Sequence, residues 1–145
     1  MNRDLLLDTS VLLKWFHRDG EAEIEQAEWH LQAHRLGIVR GHLLDLGIYE
    51  LGNVLVRPLK RTAIECAAVL DAAAALCGPV LTLGSDDLAK AAEIACADDL
   101  TFYDAAFAAA ALAHGCTLIS ADSRLVATGH AITLTQSMEG FRGQN

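Results

Sequence analysis

Residues 5–7 are all leucine, and Asp8, Thr9 and Ser10 follow them directly. A short continuous apolar run stopped by polar turn residues predicts a strand buried on both faces. Residues 11–17 then begin a helix, residues 21–35 continue with a charged one, and Ile38 and Val39 form a weaker strand candidate. Leu44, Ile48, Leu51 and Leu55 recur at i, i+4, i+7 and i+11, which predicts a helix with one apolar face. Gly47 and Gly52 weaken that helix, and Arg57–Pro58 ends it.

A helix over 62–77 closes at Gly78–Pro79, and residues 80–83 are the third strand candidate. Ser85, Asp86 and Asp87 open another helix with a cap and acids in its first turn. Residues 102–114 give a further helix, 116–120 a fourth strand and 131–135 a fifth, with a loose or late-docking tail from Gln136. Strands separated by helices imply right-handed crossovers, hence a three-layer α/β/α sandwich around a mainly parallel sheet. One domain over 1–136 with a tail over 137–145 is expected. Ligands in such a fold bind beyond the carboxyl ends of the strands.

Composition supports this reading and narrows the chemistry. A chain of 145 residues, 52% hydrophobic, buries a continuous core without disulfides or structural metal. Cys66, Cys77, Cys96 and Cys116 contain no C-x-x-C pair and read as packed thiols. The opening residues lack the apolar run of a signal peptide, and no later stretch is long and apolar enough to span a bilayer, so a cytoplasmic protein without membrane attachment is expected. The net charge of -8 argues against a protein that coats nucleic acid electrostatically.

Four acids fall at the predicted ligand edge. Asp8 follows the first strand, Asp122 follows the fourth, and Asp104 is the only charge between Leu100 and Leu112. Glu50 lies on the 43–56 helix, in a polar stripe with Asn53 and Arg57. Each has a plain structural use as well: Asp8 and Asp122 as helix caps, Asp104 with Thr101 as an approximate capping box, Glu50 on a solvated face. Converging carboxylates need a cation, and an all-oxygen set suits Mg²⁺ or Mn²⁺. Such an ion would also let an acidic protein act on a polyanion locally.

Leu6, Leu7, Asp8, Thr9 and Ser10; Tyr49, Glu50, Leu51, Gly52 and Asn53; Tyr103, Asp104, Ala105 and Ala106; and Ile119, Ser120, Ala121, Asp122, Ser123, Arg124 and Leu125 stand in the order of the motifs of PIN-domain ribonucleases. Over residues 4 to about 135 the chain resembles that family, and within it the VapC-type toxins of bacterial toxin–antitoxin pairs. The resemblance implies a homodimer, a small antitoxin partner and Mg²⁺- or Mn²⁺-dependent cleavage of RNA to 5′-phosphate and 3′-hydroxyl ends. It matches Asp8, Glu50 and Asp104 to the three core acids and Asp122 to the fourth. It also matches Ser120 to a hydroxyl that binds the site's water or carboxylates and Asn53 to a residue that orients Glu50, while Thr9 or Ser10 is placed to do the same for Asp8.

Two other readings use the same fold: a non-catalytic interaction module, and a receiver-type phosphoacceptor, which wants an acid pair after the first strand and a late lysine that this chain does not supply. His30 and His34, four apart, read as a solvated helix face. Arg57, Lys60 and Arg61 read as a basic helix end or an RNA contact. Asp98 and Asp99 read as solvated loop acids, and Trp15, Phe16 and Trp29 as helix core, partner groove or dimer contact.

Overall fold

The computed structural model describes residues 1–144; Asn145, the last residue of the expected tail, lies outside them. The chain order is β1 (Asp4–Leu7), α1 (Thr9–Leu12), a 3₁₀ turn (Leu13–Trp15), α2 (Ile24–Arg35), β2 (Arg40–His42), α3 (Asp45–Val56) and α4 (Ala63–Leu76). It continues with α5 (Ser85–Asp98), α6 (Phe102–His114), β3 (Thr117–Ile119), α7 (Ser123–Ala127), β4 (Ala131–Ile132) and α8 (Leu134–Arg142). The four strands pair in the order β2-β1-β3-β4, all parallel. The fold is the expected α/β sandwich.

The leucine run explains the layers, because successive strand residues point to opposite faces. Leu5 and Leu7 join Leu12, Ala33, Leu51, Leu55, Ala73 and Leu134 in one core, under α1–α4 and α8. Leu6 joins Leu118, Ala91, Ile94 and the buried run Ala105 to Ala111 in the other, under α5–α7. The alanines of α6 let its backbone lie close to the sheet and to α5, since no side chain beyond a methyl group intervenes except the Phe107 ring. Among the described residues no helix is long and apolar enough to cross a membrane.

Several elements differ from the sequence reading. The second strand is Arg40–His42 rather than Ile38 and Val39, because its pairing with β1 sets Asp4 beside Arg40, where the Arg40 guanidinium and the His42 Nε2 both meet the Asp4 carboxylate. Residues 80–83 supply a single parallel bridge, Leu81 beside Leu44, held by Leu81 N–H to the Leu43 carbonyl (2.8 Å) and Asp45 N–H to the Leu81 carbonyl (3.0 Å). The last strand stops at Ile132 because Thr133 turns the chain into α8, capping it through Gln136. Far from being loose, residues 134–142 form that helix and bury Leu134, Ser137 and Met138 against the core, with α8 running through the boundary expected at 136.

His30 and His34 do not lie on a solvated face. His30 is 1% exposed, its Nδ1–H donates to the Gln26 carbonyl (2.7 Å) and its Nε2 accepts from Ser137 Oγ (2.8 Å), joining α2 to α8. Burial lowers the pKa of His30, in keeping with this neutral form. His34 accepts the Gly41 N–H at Nδ1 (3.0 Å), so Nε2 carries the proton and donates to the Leu76 carbonyl (2.7 Å). Neither ring has a nitrogen left for a metal.

Candidate active site

The acids gather where β1 and β3 end. The Asp8 N–H donates to the Ile119 carbonyl (3.0 Å), continuing the β1–β3 ladder by one residue and fixing Asp8 beside the turn that holds Ser120 and Asp122. Asp8 is also the cap of α1, since its Oδ1 accepts the Thr9 N–H at 2.8 Å. Its Oδ2 accepts from two hydroxyls, Ser10 Oγ at 2.9 Å and Ser120 Oγ at 2.6 Å. Both serines are tied in turn to the same loop: Ser10 Oγ accepts the Ala121 N–H and Ser120 Oγ the Asp122 N–H, each at 3.0 Å. The carboxylate is therefore 6% exposed yet held by three donors.

Glu50 enters from α3, half-buried, with Oε1 accepting from Thr9 Oγ1 at 3.0 Å. A Cβ at Gly47, one turn earlier, would stand 3.4 Å from the Phe107 ring and 3.6 Å from Thr9 Oγ1. These are ordinary contact distances, so α3 packs against Phe107 and Thr9 at Gly47 without requiring the absence of a side chain there. Asn53, expected to orient Glu50, is exposed and makes no side-chain hydrogen bond to it; Thr9 takes that place. Thr9 thus serves both acids, Asp8 through its amide and Glu50 through its hydroxyl.

Asp104 lies in the first turn of α6, where its N–H donates to the capping hydroxyl of Thr101 (3.1 Å). Asp122 caps α7, its Oδ1 accepting the N–H groups of Arg124 (2.8 Å) and Leu125 (3.3 Å). Capping and site geometry coincide, as the sheet edge is also where the helices begin. Both helix N-termini favour negative charge nearby.

Electrostatics show that these acids share one environment. Burial pushes the Asp8 carboxyl up from its usual range, the bonds from Ser120, Ser10 and Thr9 pull it back, and the charge of Asp104 raises it again. Burial also raises Glu50, the Thr9 bond lowers it, and Asp8 and Asp104 raise it further. Asp104 is raised by burial, lowered by Thr101, raised by Asp122 and lowered by Arg124. Each of these three acids is therefore destabilised in its charged form, in part by another acid.

The other candidates are used elsewhere. Asp98 pairs with His130 (2.6 Å), and the Asp99 carbonyl accepts from Arg124 Nη2 (3.0 Å). Arg57, Lys60 and Arg61 lie past the far end of α3, Arg57 being seven residues and so about 10 Å along the axis from Glu50. Trp15, Phe16 and Trp29 pack against the core. Cys66 and Cys77 are buried, and burial pushes the Cys77 thiol up to about 12. A cavity of about 460 Å³, bordered by Arg3, Trp29, Phe141 and Arg142, lies towards the amino end of β1, away from the acids.

A PIN domain model matches residues 5–131, spanning all four acids. The chain belongs to the PIN domain family. Solved structures with the same fold include PAE2754 from Pyrobaculum aerophilum, 24% identical over 99% of both chains with a TM-score of 0.68. A toxin–antitoxin complex from Klebsiella pneumoniae is 16% identical, covering 90% of this PIN domain chain and 97% of its counterpart, with a TM-score of 0.68. FitAcB from Neisseria gonorrhoeae is 16% identical, covering 89% and 95%, with a TM-score of 0.63. No curated protein matches the chain in sequence.

The donor set fits a hard divalent cation but not a closed cage. Among the described residues no group of three or more His, Cys, Asp or Glu side chains is drawn together as a ready metal site. Mg²⁺ commonly keeps several waters and takes one or two carboxylates directly, so spaced acids around an open edge suit it. Thr9 occupies only one oxygen of Glu50, and the α7 amides only one of Asp122, which leaves Oε2 and Oδ2 as open acceptors.

Proposed function

We propose that this PIN domain is a Mg²⁺- or Mn²⁺-dependent endoribonuclease that hydrolyses RNA phosphodiester bonds. The carrying observation is the buried Asp8 carboxyl, which accepts from three donors yet has a raised proton affinity, together with the mutual charge penalty among Asp8, Glu50, Asp104 and Asp122. A fold gains nothing from that repulsion unless a cation offsets it.

Asp8, Glu50, Asp104 and Asp122 would hold the ion, which supplies Lewis acidity towards phosphate oxygens and lowers the pKa of water. Ser10, Ser120 and the Thr9 amide keep Asp8 oriented and partly offset the cost of its charge in a buried setting. Thr9 holds Glu50 by Oε1, which leaves Oε2 open towards the ion. No serine, cysteine or histidine nucleophile is required.

The likeness to the Klebsiella pneumoniae toxin–antitoxin complex supports a further step: the chain is the toxin of a toxin–antitoxin pair, masked by a small antitoxin, while its working as a homodimer rests on the family resemblance alone. A basic side chain from such a partner would neutralise the acids as a metal does.

The test is cleavage of labelled RNAs in Mg²⁺, Mn²⁺ or EDTA by the wild type, Asp8→Asn and Asp104→Asn. Metal-dependent cutting lost in both variants is expected. Metal binding without cleavage of any RNA by the wild type, freed of bound partner, would turn the reading towards an interaction module.

A further inference from the structure

The cavity of about 460 Å³ towards the amino end of β1 offers chemistry opposite to that of the acid site. Its size is that of a small-molecule site, in which apolar walls are combined with a few placed polar groups. Trp29 of α2 and Phe141 of α8 form the wall, their rings 6.0 Å apart and tilted by 34°, and Ile38 extends it. Two guanidiniums border it, Arg3 just before β1 and Arg142 at the end of α8. Among the described residues neither stands within ion-pair distance of an acid, in a chain whose acids outnumber its lysines and arginines 19 to 11.

The two cations are held differently. Arg3 is pinned, with Nε donating to the Ile38 carbonyl (2.8 Å) and Nη2 to the Gly37 carbonyl, so that Nη1 keeps both its N–H groups for a ligand. Arg142 lies over the Trp29 ring at 6.0 Å from the centroid, the outer limit of a cation–π contact, and can turn from it towards an anion at little cost.

We propose that this cavity binds a phosphate monoester carried on an aromatic or nucleoside ring, the two guanidiniums taking the phosphate and the Trp29–Phe141 wall the ring. A phosphate monoester bears a charge of about −1.5 to −2 at neutral pH and three acceptor oxygens, which matches two guanidiniums better than a single carboxylate does. Arg3 and Asp8 flank opposite ends of β1, five residues and so about 16 Å apart, and one small ligand does not span both. The cavity therefore works whether or not the acids cleave RNA. Without a metal the acids repel such an anion, whereas Arg3 and Arg142 attract it.

The test is calorimetric titration in EDTA with adenosine 5′-monophosphate, phenyl phosphate, inorganic phosphate and adenosine. Saturable binding of at least one ester is expected, with Kd of about 1 mM or tighter and roughly tenfold or more below that of inorganic phosphate or adenosine. The tighter of the two esters tells whether the ring is a nucleoside or a simple aryl group. Arg142→Gln should raise Kd roughly tenfold, and so should Arg3→Gln, which keeps an N–H donor for the Ile38 carbonyl. Melting curves of both variants confirm that each is folded at the temperature of the titration.

Inorganic phosphate bound as tightly as the esters overturns the ligand class, since the aromatic wall would then contribute nothing. Ester binding that requires Mg²⁺ and is indifferent to both arginine variants places the anion on the acids and overturns the second site. Absence of saturable binding in EDTA overturns it too, and leaves the nuclease reading untouched.

Discussion

Ser120 Oγ donates to Asp8 Oδ2 at 2.6 Å across 112 residues of chain and, from the same oxygen, accepts the Asp122 N–H at 3.0 Å. One fully buried hydroxyl therefore lowers the proton affinity of the first acid and holds the turn that presents the fourth. Ser120→Ala removes a bond to a charged group and strands a backbone amide, a loss of about 2 kcal/mol in urea unfolding. It also lifts the Asp8 carboxyl further, because the Ser120 bond is what chiefly pulls it down. Calorimetric titration with Mn²⁺ should show affinity reduced by 10- to 100-fold, the usual range for a lost partner of a metal ligand. Unaltered Mn²⁺ affinity in a destabilised variant would make Ser120 a turn residue only.

Thr9→Val keeps the shape of the side chain and removes the hydroxyl that holds Glu50 Oε1. RNA cleavage should fall about tenfold or more with little change in melting temperature, whereas Asn53→Ala should leave it alone. The opposite ranking in a cleavage assay would return the orienting role to Asn53.

The acids, their order and the sheet edge they share were legible in the sequence because each rests on a local signal: an apolar run ending in Asp8, a lone charge in an alanine helix, a cap before Arg124. The partner of Glu50 was not, since Thr9 and Glu50 are 41 residues apart and meet only through the packing of α3 over α1 at Gly47. The same holds for β2, whose Arg40, Gly41 and His42 carry no apolar signal and become a strand through pairing with β1. His30 was misread for a related reason. The 21–35 segment reads as a charged helix, and the element that buries His30, α8, comes from the far end of the chain.

Acidification should separate the acid site from the rest of the molecule. Asp8, Glu50 and Asp104 all have raised proton affinity in the fold. A carboxyl whose folded pKa exceeds its unfolded value does no harm below the unfolded value and destabilises increasingly as pH rises through the folded one. Asp4, held well below the usual carboxylate range by Arg40 and His42, does the reverse and stays ionised throughout. His30, with a lowered pKa, opposes folding on acidification, so single melting curves mix the two trends. The difference between Asp104→Asn and wild type in EDTA cancels the histidine. That gap should be near zero at about pH 4 and favour the variant by pH 7, by less than about 1 kcal/mol because water screens a half-exposed group. Mg²⁺ should shrink or reverse the gap. A gap independent of pH would mean that Asp104 acts on stability as a helix-start residue alone.

The bond between His30 and Ser137 gives a control that touches stability without touching chemistry. It joins α2 to α8 inside the leucine-rich core, and no acid of the site contacts either residue. Ser137→Ala leaves His30 Nε2 without a donor in a buried setting, a loss of about 1–3 kcal/mol. His30→Ala adds a cavity and leaves the buried Ser137 hydroxyl without its acceptor, for a loss of about 2–5 kcal/mol. Both proteins should melt earlier yet cleave RNA at the wild-type rate per folded molecule, measured well below their transitions. If either lost activity in proportion to Asp104→Asn while still folded, α8 would have to be counted part of the active machinery rather than the clasp that closes one face of the sheet.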